Sequence, residues 1–124
     1  MLFRMTVASA VWLLAIACTA SADPERFGAE YEPCSSKSST ADIVECVAEL
    51  TEAWDVRLNA AYQSLVKGMP PKSREALRVA QRLWIKYRDA NCAWYGSGEG
   101  TITAIEAAEC VRSMTAARAT ELEE

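Results

Sequence analysis

Apolar side chains recur at spacings of three and four over a long stretch in the first half of the chain. They are Ile43, Val47, Leu50, Trp54, Leu58, Tyr62 and Leu65. Ser39 to Asp42 supplies a capping-box-like start, and Gly68 followed by Pro70-Pro71 ends the pattern. This stretch predicts one amphipathic helix that ends near Lys67 and is about 40 Å long. A helix of that length favours an elongated all-α domain.

Two further helices follow by the same signals. The second is predicted over about residues 72–93, and the third is capped by Thr101 after the glycine-rich stretch 96–100. Their apolar stripes are Leu77, Ala80, Leu83, Trp84 and Tyr87 in the second helix, and Ile102, Ile105, Met114 and Leu122 in the third. The glycines lack phosphate-loop spacing, so they predict a turn. Short connections predict an antiparallel bundle of three main helices.

The N-terminal residues have the pattern of a secretory signal peptide. Arg4 precedes an apolar run, and Ala20 to Ala22 are small residues suited to cleavage. We expect a signal peptide over 1–22, an extended arm over 23–39 and the helical domain over 40–124. The protein is then periplasmic or secreted. The alternative is a lipoprotein anchored through Cys18, because Ala15 to Cys18 loosely resembles a lipobox.

Four cysteines remain after cleavage, and an even number in an exported chain predicts two disulfides. No C-x-x-C pair and no histidine are present, so metal binding and thiol redox catalysis are not favoured. Cys46 and Cys110 lie at comparable depth from the same end of the predicted bundle. We therefore expect Cys46–Cys110 and Cys34–Cys92, with Cys46–Cys92 as the alternative pairing.

Charge and composition restrict the classes of function. Cleavage after Ala22 leaves 17 acidic and 12 basic side chains, a net charge of −5. An acidic chain without a basic run does not favour nucleic acid, favours a basic protein partner, and is repelled by an anionic membrane. No membrane-embedded segment is expected after cleavage. The absence of histidine removes the commonest general base, so we expect neither an enzyme nor a cofactor.

Polar side chains on or beside the apolar stripes are candidates for a buried network that fixes helix register. They are Asp55, Asn59, Gln81, Arg88, Asp89 and Arg118. A less favoured alternative is a small enzyme that uses Asp55 and Asp89. Trp94, Tyr95 and Glu99 lie instead beside the glycine-rich turn. Aromatic and acidic side chains on an anchored turn suit a protein interface, so we expect partner binding there.

Many of these residues together resemble the lysozyme inhibitor LprI family, from Cys34 to Leu122. The matching positions are Cys46, Asp55, Leu58, Asn59, Tyr62, Leu77, Ala80, Gln81, Arg82, Trp84, Tyr87, Arg88, Asp89, Cys92, Cys110, Thr115, Arg118 and Leu122. The resemblance implies a small exported helical domain and, from the family's named member, inhibition of lysozyme, with a c-type lysozyme as the implied partner. A periplasmic interaction or toxin-immunity module is the alternative.

Overall fold

The computed structural model describes residues 26–124, so the predicted signal peptide and Cys18 lie outside the described residues. The helices are α1 (Glu32–Ser35), α2 (Thr40–Lys67), α3 (Pro71–Tyr95) and α4 (Ile102–Glu123), and this part of the chain contains no strand. The predicted all-α fold with three main helices is confirmed. None of the helices described is long and apolar enough to cross a membrane.

The prediction of an extended arm over 23–39 is wrong for α1. Pro33 occupies the first turn, where a missing backbone N–H costs no hydrogen bond, and the chain forms a single helical turn there. The Ser35 hydroxyl donates to the Glu32 carbonyl at 2.7 Å. α1 packs on α2. The region before α2 is therefore a folded element of the domain.

The ends of α2 and α3 follow the local signals in the sequence. The Asp42 N–H donates to the Ser39 hydroxyl at 3.1 Å, which is the predicted N-cap. Gly68 directly follows the last helical residue of α2, and α3 begins at Pro71. Thr101 precedes α4 as predicted, but its side chain makes no capping hydrogen bond.

Helix α4 lies between α2 and α3 and packs most extensively on α2. The core cluster joins Leu58 and Ala61 of α2 to Ala119 and Leu122 of α4. Trp54, Tyr62, Leu77 and Trp84 pack around this cluster. Alanines at the contact allow the two helix backbones to approach closely.

Burial around α4 extends over most of its circumference, because α2, α3 and the segment before α1 cover different sides. Two pairs of sequence neighbours, Arg112 with Ser113 and Thr115 with Ala116, are all buried. Neighbouring residues on a helix point in different directions, so more than one side of α4 is covered. Ile102, by contrast, is exposed. A helix covered on several sides has no single apolar stripe, so the predicted stripe described α4 only in part.

The apolar stripe predicted for the second helix is too wide, because the core buries only part of it. Leu77 and Trp84 pack against the core, whereas Ala80, Leu83 and Tyr87 are exposed. Helix α3 contacts α4 along one narrow side. No other helix of residues 26–124 covers the other side of α3.

All four predicted cysteines form disulfides, but the predicted pairing is wrong. The bonds are Cys34–Cys46 and Cys92–Cys110, with Cα–Cα distances of 5.6 and 5.4 Å. The turn of α1 carries Cys34 back to α2. The turn 96–101 carries the chain beyond the end of α3, so Cys110, about 12 Å into α4, comes level with Cys92. Each bond thus joins consecutive elements.

Candidate functional site at the turn between α3 and α4

The predicted binding residues lie at one end of the bundle, on the last turn of α3 and the loop after it. Trp94 and Tyr95 are the last two residues of α3, and their rings meet edge to face with centroids 4.7 Å apart. Trp94 is largely exposed, and Glu99 is exposed on the loop. The structure therefore places an aromatic and an acidic side chain on the same accessible end.

Tyr95 differs from its neighbours because it has an intramolecular partner. The Arg26 guanidinium lies 4.0 Å from the Tyr95 ring centroid, a cation–π contact. Arg26 also donates to the Glu106 carbonyl at 3.3 Å. Tyr95 thereby helps to hold the segment before α1 against α4, which leaves Trp94 and Glu99 as the more available side chains for a partner.

The loop between α3 and α4 is shaped by its glycines. Gly100 has a φ of +84°, a conformation that residues with a Cβ rarely adopt. A Cβ on Gly96 would lie 3.2 Å from the Ala107 Cβ. Gly96 thus lets the chain pass closely over α4, while the Cys92–Cys110 bond fixes the helices on either side. The loop is presented from a rigid base.

Three residues of the predicted polar set, Asp55, Arg88 and Asp89, lie together, and the Asp55 and Asp89 side chains are 48 and 59% exposed. The Arg88 guanidinium donates to the Thr115 hydroxyl at 3.3 Å and to Asp89 at 3.0 Å, and it faces Asp55 at 3.9 Å. It also stacks over Trp84, 5.1 Å from the ring centroid. This one cation links all three main helices. Asp55 and Asp89 both face Arg88, an arrangement suited to fixing register.

Arg118 forms the second part of the predicted network. It donates to the Gln81 side chain at 3.0 Å and pairs with Glu121 at 2.7 Å, and it approaches the Trp84 ring from α4. Trp84 is therefore flanked by two guanidinium groups. Asn59, the remaining member of the predicted set, is exposed on α2.

A third charged network was missed from the sequence and is the most deeply buried. Arg112 and Glu109 are 1% and 0% exposed and pair one helical turn apart on α4, with a distance of 2.6 Å. Arg112 also pairs with Glu30, whose carboxylate accepts from the Trp54 indole N–H at 2.7 Å. The Phe27 N–H donates to Glu109 at 2.9 Å. Residues 27–30 are thus fastened to α4 and α2.

The charge of Arg112 is maintained by its partners. Burial by itself lowers the pKa of the guanidinium, but the hydrogen bonds and charges of Glu109 and Glu30 outweigh it and raise the pKa above its ordinary value. The spacing of three between Glu109 and Arg112 was the available signal in the sequence. The burial of this pair could not be predicted from the sequence, because ion pairs at that spacing on a helix are usually solvated.

Exposed charges are distributed unevenly over the helices. On α2 the carboxylates of Asp42, Glu45, Glu49 and Glu52 are exposed at spacings of three, four and three, so they share one face. Helix α3 instead carries six basic residues and two acidic ones. One helix therefore presents an acidic face and another a basic one.

Residues 32–122 match the protein-family model described as Lysozyme inhibitor LprI. The chain belongs to the LprI family. The LprI match begins at α1 and ends in α4, so it includes both disulfides and the Glu109–Arg112 pair, whereas Glu30 and Arg26 lie before it.

One curated relative of this LprI protein comes from Rhizobium meliloti (strain 1021), where it is described as an uncharacterized protein. It is 29% identical over 136 aligned residues, which cover 97% of this chain and 95% of the relative. The two proteins thus resemble each other over nearly their whole lengths. No solved structure matches the chain.

Proposed function

We propose that this LprI protein is exported and binds lysozyme as an inhibitor. The observation that carries the proposal is the family match over residues 32–122, which spans all four helices. The two disulfides support export, because such bonds persist in oxidising compartments. The domain is a scaffold of mutually paired polar groups, which suits a binding protein.

The charge pattern supports a basic partner such as a c-type lysozyme. The row of exposed carboxylates on α2, together with the net charge of −4 for the full chain, attracts a cationic protein. Complementary charge accelerates encounter most strongly at low ionic strength. The effect depends on salt and so can be measured.

Addition of the purified disulfide-bonded protein to c-type lysozyme is expected to reduce lysis of bacterial cell walls. The inhibition should weaken as salt rises from about 0.01 to 0.15 M, because the screening length falls from about 30 to 8 Å. Turbidity of a cell-wall suspension measures the lysis. Undiminished lysis at a large molar excess of the protein contradicts the proposal, and specific capture of a periplasmic protein in its place favours an immunity module.

The end of the bundle with Trp94 and Glu99 is the surface that we propose to contact lysozyme. Truncation of an exposed aromatic anchor typically costs 2 kcal/mol or more, about thirtyfold in affinity. We therefore expect Trp94→Ala and Glu99→Lys each to weaken binding without lowering the melting temperature. Calorimetric titration with lysozyme measures the first effect and thermal unfolding the second.

Matched variants separate this local effect from a general one. Glu32→Lys changes the net charge as much as Glu99→Lys does, but Glu32 lies on α1. The Glu32→Lys variant should therefore bind lysozyme more tightly than the Glu99→Lys variant. Tyr95→Ala is a poorer probe, since it removes the ring under Arg26 and is expected to loosen the segment before α1. Parental affinity in both Trp94→Ala and Glu99→Lys would place the interface elsewhere.

A further inference from the structure

The side of α3 that faces away from α4 carries a row of large apolar side chains, which we name the outer face of α3. Val79, Leu83, Tyr87 and Trp94 are 45, 60, 62 and 67% exposed. Their spacings of four, four and seven place them within about 80° of the helix circumference, over about 22 Å of its length. Helix α3 thus has apolar residues on two sides, and the bundle covers one of them.

Such a row is unlike the scattered apolar side chains of an ordinary surface. Ala76 precedes the row, Ala80 and Ala90 lie between its large residues, and all three are exposed as well. The core does not need the row, since α3 already contributes Leu77 and Trp84 to it. A continuous apolar row on an exposed helix is typical of a surface that becomes covered by something else.

The charges beside the row are positive. Lys72, Arg82 and Lys86 are exposed within about 60° of Val79 on the helical wheel, and they form no salt bridge with any residue from 26 to 124. The two acidic residues of α3 are already neutralised, because Glu75 pairs with Arg78 and Asp89 with Arg88. The outer face therefore combines apolar side chains with three cations that form no salt bridge among the residues described.

We propose that the outer face of α3 docks on an anionic phospholipid surface. Lysines and arginines reach lipid headgroups while their stems and the neighbouring Leu and Trp side chains enter the interface. Tyrosine and tryptophan favour this boundary, since each has an apolar ring and a polar group. The face is a convex helix, which fits a planar interface without requiring a complementary groove.

The positive charges beside the outer face favour a lipid surface over a second copy of the chain or a basic protein. A second copy docked through the same face would bring the cations of both copies together, and a basic protein such as lysozyme would meet like charge. The repulsion expected from the net negative charge does not decide the contact, because screening over about 8 Å at physiological salt limits the interaction to charges near the surface, and those beside the outer face of α3 are positive. Trp94 also belongs to the proposed lysozyme contact, so the proposal is tested at Leu83 and Lys86, which lie outside that contact.

Co-sedimentation with vesicles tests the proposal. The folded protein is expected to bind vesicles of phosphatidylglycerol and phosphatidylcholine and to bind pure phosphatidylcholine at least tenfold more weakly. Lys86→Ala should weaken binding about fivefold, the effect of one basic residue at a charged interface. Leu83→Glu should weaken it more than tenfold, because a carboxylate then replaces an inserted apolar side chain.

Control variants make the result specific to this face. Val56 is 71% exposed on α2, so Val56→Glu adds the same charge elsewhere and is expected to bind the anionic vesicles like the parent. Circular dichroism confirms that both glutamate variants are folded. Equal loss in Val56→Glu and Leu83→Glu, or no binding of the parent to anionic vesicles, overturns the proposal. The proposal is also overturned if the parent protein binds no vesicles but forms a dimer that Leu83→Glu abolishes. That result assigns the outer face of α3 to self-association.

Discussion

Replacement of Arg112 by methionine is expected to lower the free energy of unfolding by about 3–5 kcal/mol. The change leaves the fully buried Glu109 carboxylate without its cation, and it also frees Glu30 from the guanidinium. An uncompensated buried charge is costly, because the low-dielectric interior solvates it poorly. Equilibrium unfolding in urea, followed by helical circular dichroism, measures the loss.

An exposed ion pair supplies the matched control. Arg57 and Glu123 form a salt bridge at 2.6 Å on the surface, where water screens both charges. Arg57→Met is expected to destabilise the fold much less than Arg112→Met, because an exposed ion pair contributes little to stability. Equal destabilisation by Arg57→Met and Arg112→Met would show that burial of the Arg112 network contributes nothing. Glu30→Gln, which retains the Arg112–Glu109 pair, should give an intermediate loss.

Removal of the Cys92–Cys110 bond by the double substitution Cys92→Ser and Cys110→Ser is expected to cost about 3 kcal/mol. The estimate follows from the entropy of the unfolded chain, since the bond closes a loop of sequence separation 18. For a domain of this size the melting temperature should fall by about 12 °C or more. Differential scanning calorimetry of the double variant and the parent measures the fall.

Peptide mapping without reduction gives the matching covalent test. It should recover Cys34 linked to Cys46 and Cys92 linked to Cys110. A Cys46–Cys110 peptide would contradict this arrangement. The double variant is also expected to loosen the turn between α3 and α4, so it should reduce binding that depends on Trp94. An unchanged melting temperature would show that helix packing alone holds α3 on α4.

Local signals in the sequence were sufficient to predict the three main helices, α2, α3 and α4. Ser39, Gly68 and Pro71 act on their own neighbours in the chain, so the start and end of α2 and the start of α3 were readable before any packing was known. The participation of all four cysteines followed from their even number, and the family resemblance from residues of α2, α3 and α4. Each of these conclusions depends on composition or short-range spacing.

Contacts between residues far apart in the chain could not be predicted from local signals in the sequence. Asp55, Arg88 and Asp89 were grouped from the sequence because they lie beside apolar stripes, whereas the Arg112–Glu30 pair joins residues that share no periodic pattern. Likewise, Tyr95 was indistinguishable from Trp94 in the sequence. In the structure Tyr95 lies under the Arg26 guanidinium and is half-buried, whereas Trp94 is exposed.

The sequence by itself determined an all-α chain, the limits of α2, the oxidised cysteines and the family, because backbone hydrogen bonds and caps are local. The tertiary structure decided which cysteines pair, since pairing depends on the axial offset of helices and on the turn of α1. It also decided that Leu83 and Tyr87 are exposed. Periodicity marks a side chain as apolar, but burial requires a neighbouring helix, and among residues 26–124 no helix covers that side of α3.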